Sequence, residues 1–156
     1  DILISCVDTA RTRLEIDKRN KEITRNHTYW MDCGNTQNTG QVILGYKAPS
    51  GTFHIDNDIR DIPSVVDLFP NIEDFDEDSG PSCSLAEAVQ SQDLAINPMV
   101  ANHAFHLLWQ MVRRERIQNH GCYINLENGS TIPQRIDPAA WERMGFQPDS
   151  CMKEVA

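Results

Sequence analysis

No two cysteines in this chain have the Cys-x-x-Cys spacing that structural zinc ribbons use. The five cysteines stand far apart and at uneven intervals: Cys6, Cys33, Cys83, Cys122 and Cys151. Because zinc ribbons hold their metal with closely paired cysteines, we expect no zinc. An odd number of scattered cysteines fits reduced thiols, and therefore a cytoplasmic protein.

Long apolar runs are also missing. The first apolar run ends at Val7, whereas a membrane-spanning helix needs roughly 18 apolar residues. No basic segment precedes this run, as it would in a secretory signal peptide. We therefore expect no membrane partner.

Basic residues are too few for a surface that binds nucleic acid. The chain has 14 Lys and Arg against 23 Asp and Glu, a formal net charge of -9. Binding to phosphates needs clustered positive charge. The one basic cluster, Arg113-Arg-Glu-Arg116, closes a predicted helix, where it complements the negative end of the helix dipole. We predict no nucleic-acid partner.

The order of the predicted elements indicates an α/β protein with a mixed parallel and antiparallel sheet and flanking helices. A buried strand over Asp1–Val7 runs into a charged helical stretch over Thr9–Asn26. Two further strands, Thr28–Cys33 and Gln41–Tyr46, have only a Gly- and Asn-rich loop between them, which predicts antiparallel pairing. We expect a single domain over residues 1–156.

Helical and turn signals mark the second half of the chain. Ser84-Leu-Ala-Glu87 is a capping box that predicts a short helix. A longer helix is predicted with Asn97 as its cap and Pro98 in its first turn. Its predicted apolar face comprises Val100, Ala104, Leu107, Leu108, Met111 and Val112. Asn128-Gly129 between two apolar runs predicts a hairpin.

Asp8 is the first candidate for a functional residue. It follows the predicted first strand, and open α/β sheets bind ligands at the carboxyl ends of their strands. Its carboxylate would there orient Mg²⁺ or the phosphates of a nucleotide. The alternative is structural, because Asp is also a favoured residue at the N-cap of a helix. Both interpretations stay open from the residues alone.

Cys83 is the second candidate. The predicted helix start places it just before an N-cap, where backbone N–H groups and the helix dipole favour a thiolate. The acidic residues upstream would oppose this, because negative charge disfavours a second negative charge nearby. An inert, partly buried cysteine is the alternative.

Histidine and tryptophan give weaker signals. His103 and His106 are three residues apart on one predicted helix, but no further metal ligand stands near them, so a polar helix flank is the better interpretation. A hydrolase that pairs Cys83 with His103 would need a proximity that the sequence cannot test. The three tryptophans are interpreted as core or interface residues: Trp30, Trp109 and Trp141.

The order of these features resembles the later half of the ThiF/MoeB/ubiquitin-activating superfamily. The resemblance is greatest to ThiF-related proteins of the plasmid-borne PRTRC cassette. It is carried by the segments Ser5-Cys-Val-Asp8, Arg13, Tyr29–Cys33, Gly40-Gln-Val-Ile43, Gly80-Pro-Ser-Cys-Ser84, Asn97–Met111 and Asp137-Pro-Ala-Ala-Trp141.

The resemblance implies a fold and an activity. The chain would be the C-terminal portion of a Rossmann-like domain, lacking the half that carries the Gly-rich phosphate loop. The complete protein would adenylate the C-terminus of a ubiquitin-like or sulfur-carrier protein with Mg-ATP. Asp8 would face the metal and phosphates, Arg13 would support that site, and Cys83 would accept the acyl group. By itself the segment would be inactive.

Two further expectations concern partners. A first strand without an outer neighbour would leave one edge of the sheet bare, which invites a homodimer. The alternative to an enzyme is a non-catalytic module that recognises a ubiquitin-like partner.

Overall fold

The protein is an α/β structure, and its described residues form one five-stranded sheet. The computed structural model describes residues 1–22, 28–47, 61–75 and 93–146. Among these, the strands lie in the order β1 (Ile2–Ser5), β2 (Tyr29–Asn35), β3 (Thr39–Tyr46), β4 (Asn119–Asn125) and β5 (Ser130–Arg135). β1 and β2 run parallel, and the other neighbouring pairs run antiparallel. The predicted mixed sheet is confirmed.

Helices cover both faces of this sheet, as predicted. Those described are α1 (Ala10–Glu22), α2 (Val65–Leu68), α3 (Ile96–Arg114) and α4 (Pro138–Arg143), with a 3₁₀ turn over Ile72–Phe75. Helix α3 packs on β2, β3 and β4. Helices α1, α2 and α4 share the apolar cluster on the opposite face.

Alternation along the central strands builds the two apolar layers. In β2, Met31 points to the α3 face and Trp30 to the other; in β3, Leu44 and Ile43 divide in the same way. Successive strand residues point to opposite faces, so a strand covered on both sides is apolar throughout. Strands β2 and β3, each with a neighbour on both sides, are accordingly mostly apolar on both faces.

Two glycines are required at their positions, one for close packing and one for its backbone conformation. A side chain at Gly40 would place its Cβ 2.5 Å from Val100 Cγ2, so this glycine lets α3 approach the sheet closely. Gly129 has φ +69° in the turn between β4 and β5, a conformation that L side chains rarely adopt. The Asn128-Gly129 hairpin prediction is confirmed.

The predicted details of α3 need two corrections. The helix begins at Ile96 with Ala95 at the N-cap, so Asn97 is not the cap. Instead, Asp93 accepts a hydrogen bond from the backbone N–H of Ala95 at 2.8 Å. Val112 is 65% exposed, because it lies about 120° around the helix from Val100, outside the buried stripe.

The first strand is also less buried than predicted. β1 pairs only with β2 among the described residues, and the side chains of Ile2, Leu3 and Ile4 are 38–49% exposed. Only Ser5 is buried in this strand. The prediction of a buried strand is therefore wrong for the described structure, because β1 is an edge strand.

Other predictions have mixed outcomes. Trp30 and Trp141 are core residues, whereas Trp109 is 48% exposed and lies under the guanidinium of Arg113. The capping box at Ser84-Leu-Ala-Glu87 lies outside the described residues.

A buried His–Trp contact attaches α4 to the sheet. A register shift between Asn119 and Gly121 leaves His120 as an extra residue in β4. The indole N–H of Trp141 donates to His120 Nε2 at 3.2 Å. His120 Nδ1 then donates to the backbone oxygen of Leu44 at 3.0 Å. This arrangement requires a neutral imidazole, and burial lowers the pKa of His120 to about 4.

This contact predicts a pH dependence of stability. Above pH 6.5 the imidazole is neutral in both states and its contribution is complete. As the pH falls below 6.5, the unfolded chain binds a proton first, which lowers the free energy of unfolding until the pH reaches the folded pKa of about 4. Between pH 7 and pH 5 the loss should be about 2 kcal/mol.

Urea unfolding of the wild type and of His120→Gln at both pH values measures this contribution. The difference in stability between the two proteins should shrink at pH 5, since only the wild type carries the buried imidazole. The exposed His106 and the half-buried His103 remain in both proteins and cancel. Equal pH dependence in the two proteins would contradict the prediction.

Candidate functional site

A cavity of 610 Å³ lies at the carboxyl ends of the parallel strands β1 and β2. Asp8 and Arg13, both predicted to bind a cofactor, line this cavity. Its volume falls in the range of about 300–1,000 Å³ that is usual for ligand pockets. The structure thus brings the two residues to one site, at the position where open α/β sheets bind ligands.

Asp8 is exposed and does not cap α1. The helix begins at Ala10, one residue later than a cap at Asp8 would require. Thr9 takes that role: its Oγ1 accepts a hydrogen bond from the backbone N–H of Thr12 at 3.2 Å. The capping alternative for Asp8 is therefore wrong, and its carboxylate stands in the lining of the cavity without serving the helix.

Arg13 is anchored by a buried ion pair. Its Nε donates to Asp32 Oδ2 at 2.9 Å, and the two side chains are 10% and 1% exposed. Asp32 stands on β2 in a strand that is otherwise mostly apolar. A buried carboxylate without such a partner would be strongly unfavourable. The pair therefore fixes the guanidinium relative to the sheet.

The second oxygen of this carboxylate connects the pair to β1. Ser5 Oγ donates to Asp32 Oδ1 at 2.8 Å, and Trp30 Nε1 donates to Ser5 Oγ at 2.8 Å. Ser5 and Asp32 are register partners on the two parallel strands. Both carboxylate oxygens are thus hydrogen-bonded, which makes burial of the charge tolerable.

Gly34 leaves room for the guanidinium. A Cβ at this position would lie 2.8 Å from Arg13 Nη2 and 3.5 Å from Gln41 Nε2. A side chain here would therefore have to displace Arg13. Since Nε is committed to Asp32, the Nη groups are the part of Arg13 that can meet a ligand in the cavity.

Tyr123 adds a further polar group to the cavity wall. Its hydroxyl is buried and has no hydrogen-bond partner among the described residues. Burial also raises the pKa of this phenol, which therefore stays protonated and able to donate. Neutral amides and hydroxyls complete the polar part of the wall, contributed by Asn35, Thr36, Thr39, Gln41, Asn125, Asn128 and Ser130.

The cysteines divide into two groups. Cys33 and Cys122 are buried thiols, and burial raises the pKa of Cys33 to about 12. Cys6 is exposed and lines the cavity beside Asp8. Cys83, the predicted acceptor, lies outside the described residues, so its role stays a prediction.

The histidine pair lies elsewhere, on α3. His103 and His106 line a separate cavity of 260 Å³, and His106 Nε2 is 3.0 Å from Gln110 Nε2. In the part of the chain that the structure describes, no three His, Cys, Asp or Glu side chains are grouped so that they could hold a metal ion.

Sequence patterns did not predict two residues of the site, Asp32 and Tyr123. Asp32 left a weak signal, because a carboxylate inside an apolar strand needs a cationic partner. The sequence does not show that Arg13 is that partner, since the ion pair spans two elements. Tyr123 left no signal, because its place in the alternating pattern of β4 is that of any half-buried strand residue.

Comparisons with known proteins add no assignment. No protein-family model matches this chain, and no curated protein matches it either.

Among the described residues, α3 is the longest helix, and neither it nor any other has the length and apolar character needed to cross a bilayer.

The buried ion pair yields a prediction about stability. Arg13→Met should lower the free energy of unfolding by about 3–5 kcal/mol, because it leaves the Asp32 carboxylate buried without a counter-charge. The double variant Arg13→Met/Asp32→Asn should recover part of this loss, since it removes the charge as well.

Arg11→Met is the matched control for urea unfolding. Arg11 is on the same helix, and its contact with Glu15 at 3.7 Å joins side chains that are 87% and 64% exposed. Such exposed pairs add little to stability. Equal effects of the two Arg substitutions would contradict a structural role for the Arg13–Asp32 pair.

Proposed function

We propose that this chain is the C-terminal segment of a ThiF-like adenylyltransferase. The complete cytoplasmic protein would use Mg-ATP to activate the C-terminus of a ubiquitin-like or sulfur-carrier protein, and this segment alone would be inactive. One observation carries the proposal: Asp8 and Arg13, the two residues that match the superfamily's pattern, line one cavity at the carboxyl ends of parallel strands. The matching order of the other segments supports it.

The donor groups of the cavity suit part of a nucleotide site. Magnesium prefers oxygen ligands and is commonly held by one or two carboxylates together with substrate phosphates. The exposed carboxylate of Asp8 fits that need, and when bound the metal would neutralise phosphate charge. Arg13 is the only Lys or Arg in the described lining, so most phosphate contacts would come from the earlier half.

The proposed chemistry has two steps. In the first, a carboxylate oxygen of the carrier protein attacks the α-phosphorus of ATP, and the bond to pyrophosphate breaks. In the second, the Cys83 thiolate attacks the activated carbonyl, and AMP leaves with the bonding electron pair. Arg13 would orient a phosphate through its Nη groups while Asp32 holds its Nε, which makes Asp32 a positioning residue.

Carrier-dependent exchange between pyrophosphate and ATP tests the proposal. The protein is expressed from its natural start codon, and its intact mass should be well above 17.7 kDa. Asp8→Asn should reduce exchange by about 10²-fold or more, because it removes charge at the metal. Cys83→Ser should keep exchange and lose the thioester to the carrier.

Each outcome distinguishes the candidates. Unchanged exchange in Asp8→Asn would show that Asp8 does not belong to the nucleotide site. Exchange in the wild type, together with a thioester that survives Cys83→Ser, would reject only the acceptor role of Cys83. An intact mass near 17.7 kDa with no exchange would reject adenylation.

A non-catalytic module that recognises a ubiquitin-like partner is the second candidate. The exposed apolar side chains of β1 favour it, since a binding module would use such a surface. Carrier binding without any nucleotide dependence would support this candidate.

The same edge supports a homodimer. β1 contains no charged residue and no proline that would discourage pairing with another strand, whereas β5 at the other edge contains Pro133. We therefore expect the β1 strands of two copies to pair.

Light scattering of the size-fractionated chain measures this association. The wild type should be dimeric, and Ile4→Lys should shift it to monomer by placing a charge on the β1 edge. Ile132→Lys on β5 is the matched control, since Ile132 is 60% exposed at the opposite edge, and it should leave the dimer intact. A monomeric wild type would reject the dimer.

A further inference from the structure

Cys6 and Cys33 are neighbours across the two parallel strands. Ser5 lies opposite Asp32 in the register of β1 and β2. Cys6 follows Ser5 and Cys33 follows Asp32, so the two cysteines come next in the same parallel register. The nearby Cys6 thiol adds to the burial that raises the pKa of the Cys33 thiol. Adjacent strands are about 4.8 Å apart, which is within the Cα separation that a disulfide spans. Both cysteines are free thiols in this structure.

A small reagent can reach this pair from the surface. Cys6 is exposed, whereas Cys33 is 8% exposed beside it. Both also line an apolar groove of 410 Å³ between β1 and α3, whose walls include Ile4 and Phe105. The exposed thiol would react first, and the buried one is already in place to react second.

Cys122 provides a contrast on the same face of the sheet. In the strand register Val42 lies between Cys33 and Cys122, which puts these two cysteines on strands that are not adjacent. Two strand spacings, about 9.6 Å, exceed the reach of a disulfide. The geometry therefore selects one pair among these three cysteines.

We propose that Cys6 and Cys33 form a reversible disulfide that ties the edge strand β1 to the sheet. The oxidant is a small-molecule disulfide such as oxidised glutathione. The modification itself needs no nucleotide and no carrier protein, and Cys6 also lines the cavity proposed for the nucleotide.

The reaction proceeds by two thiol–disulfide exchanges. The Cys6 sulfur, after losing its proton, attacks one sulfur of oxidised glutathione, and the departing glutathione takes up that proton. The Cys33 sulfur then attacks the Cys6 sulfur of the mixed disulfide, and its proton passes to the second glutathione that leaves. The two protein thiols lose two electrons in total, and the glutathione disulfide gains them.

The bond would change the behaviour of β1 in a measurable way. Among the described residues this short strand pairs with β2 alone. Its opening breaks the backbone hydrogen bonds to that strand and the side-chain hydrogen bonds that link Ser5 to Asp32 and Trp30. A covalent bond at its carboxyl end would restrict that opening. Amide hydrogens of β1 should then exchange more slowly in the oxidised protein.

Thiol trapping tests the proposal in a chain that carries Cys83→Ser and Cys151→Ser. The protein is treated with oxidised glutathione, unfolded in acid, alkylated, digested and analysed by mass spectrometry. We expect a Cys6–Cys33 disulfide, no lasting glutathione adduct, and full return of both thiols with dithiothreitol. Exchange at the β1 amides should slow by about tenfold or more in the oxidised form.

Three further substitutions separate the steps. Cys33→Ala should leave a stable glutathione adduct on Cys6, because the second thiol is missing. Cys6→Ser, an exposed and mild change, should leave Cys33 reduced. Cys122→Ala is the matched control and should still give the disulfide. A lasting adduct on Cys6 with Cys33 intact, or a bond mapped to Cys122, would overturn the proposal.

Discussion

The buried ion pair between Arg13 and Asp32 is the constraint on which the site depends. Neither charge could be buried alone at acceptable cost, so α1 can dock on β2 only where the guanidinium meets the carboxylate. Ser5 binds the other oxygen of the same carboxylate, which ties β1 to that arrangement as well. The loop that carries Asp8 is therefore held at both of its ends by one carboxylate. The position of the cavity follows from that single group.

The two faces of the sheet are stabilised by different kinds of contact. The α3 face is filled by apolar side chains and two thiols, which pack without a directional demand. The opposite face holds Asp32 and His120, each fully buried and each hydrogen-bonded to a defined partner. Directional bonds admit one placement of a helix, whereas apolar contacts admit several close alternatives. Helices α1 and α4 are both positioned by polar contacts, and α1 lines the cavity through Ala10 and Arg13.

Sequence patterns predicted the features that depend on neighbouring residues. The β4–β5 hairpin follows from Asn128-Gly129, and the mixed sheet follows from two strands separated by a short turn. Features set by distant residues could not be read this way, because the Arg13–Asp32 pair requires knowledge of which helix covers which strand. The prediction of Asp8 as the N-cap of α1 failed for a different reason. Sequence patterns place a helix end only to within one or two residues, and the helix starts one residue later, with Thr9 as its cap. The same shift is what left the Asp8 carboxylate unused by the helix.

The edge strand β1 connects surface and site. Its residues Ile2, Leu3 and Ile4 are exposed, and its carboxyl end leads through Cys6 and Val7 to Asp8. A strand that paired with this edge would hydrogen-bond the outer backbone groups of β1 and suppress its opening. The loop carrying Asp8 would then lose part of its conformational freedom before any ligand arrived, and a ligand at the cavity would bind with a smaller entropic cost. By linkage, a ligand that orders the loop would strengthen pairing at the edge by the same factor, although the two binding partners need not touch.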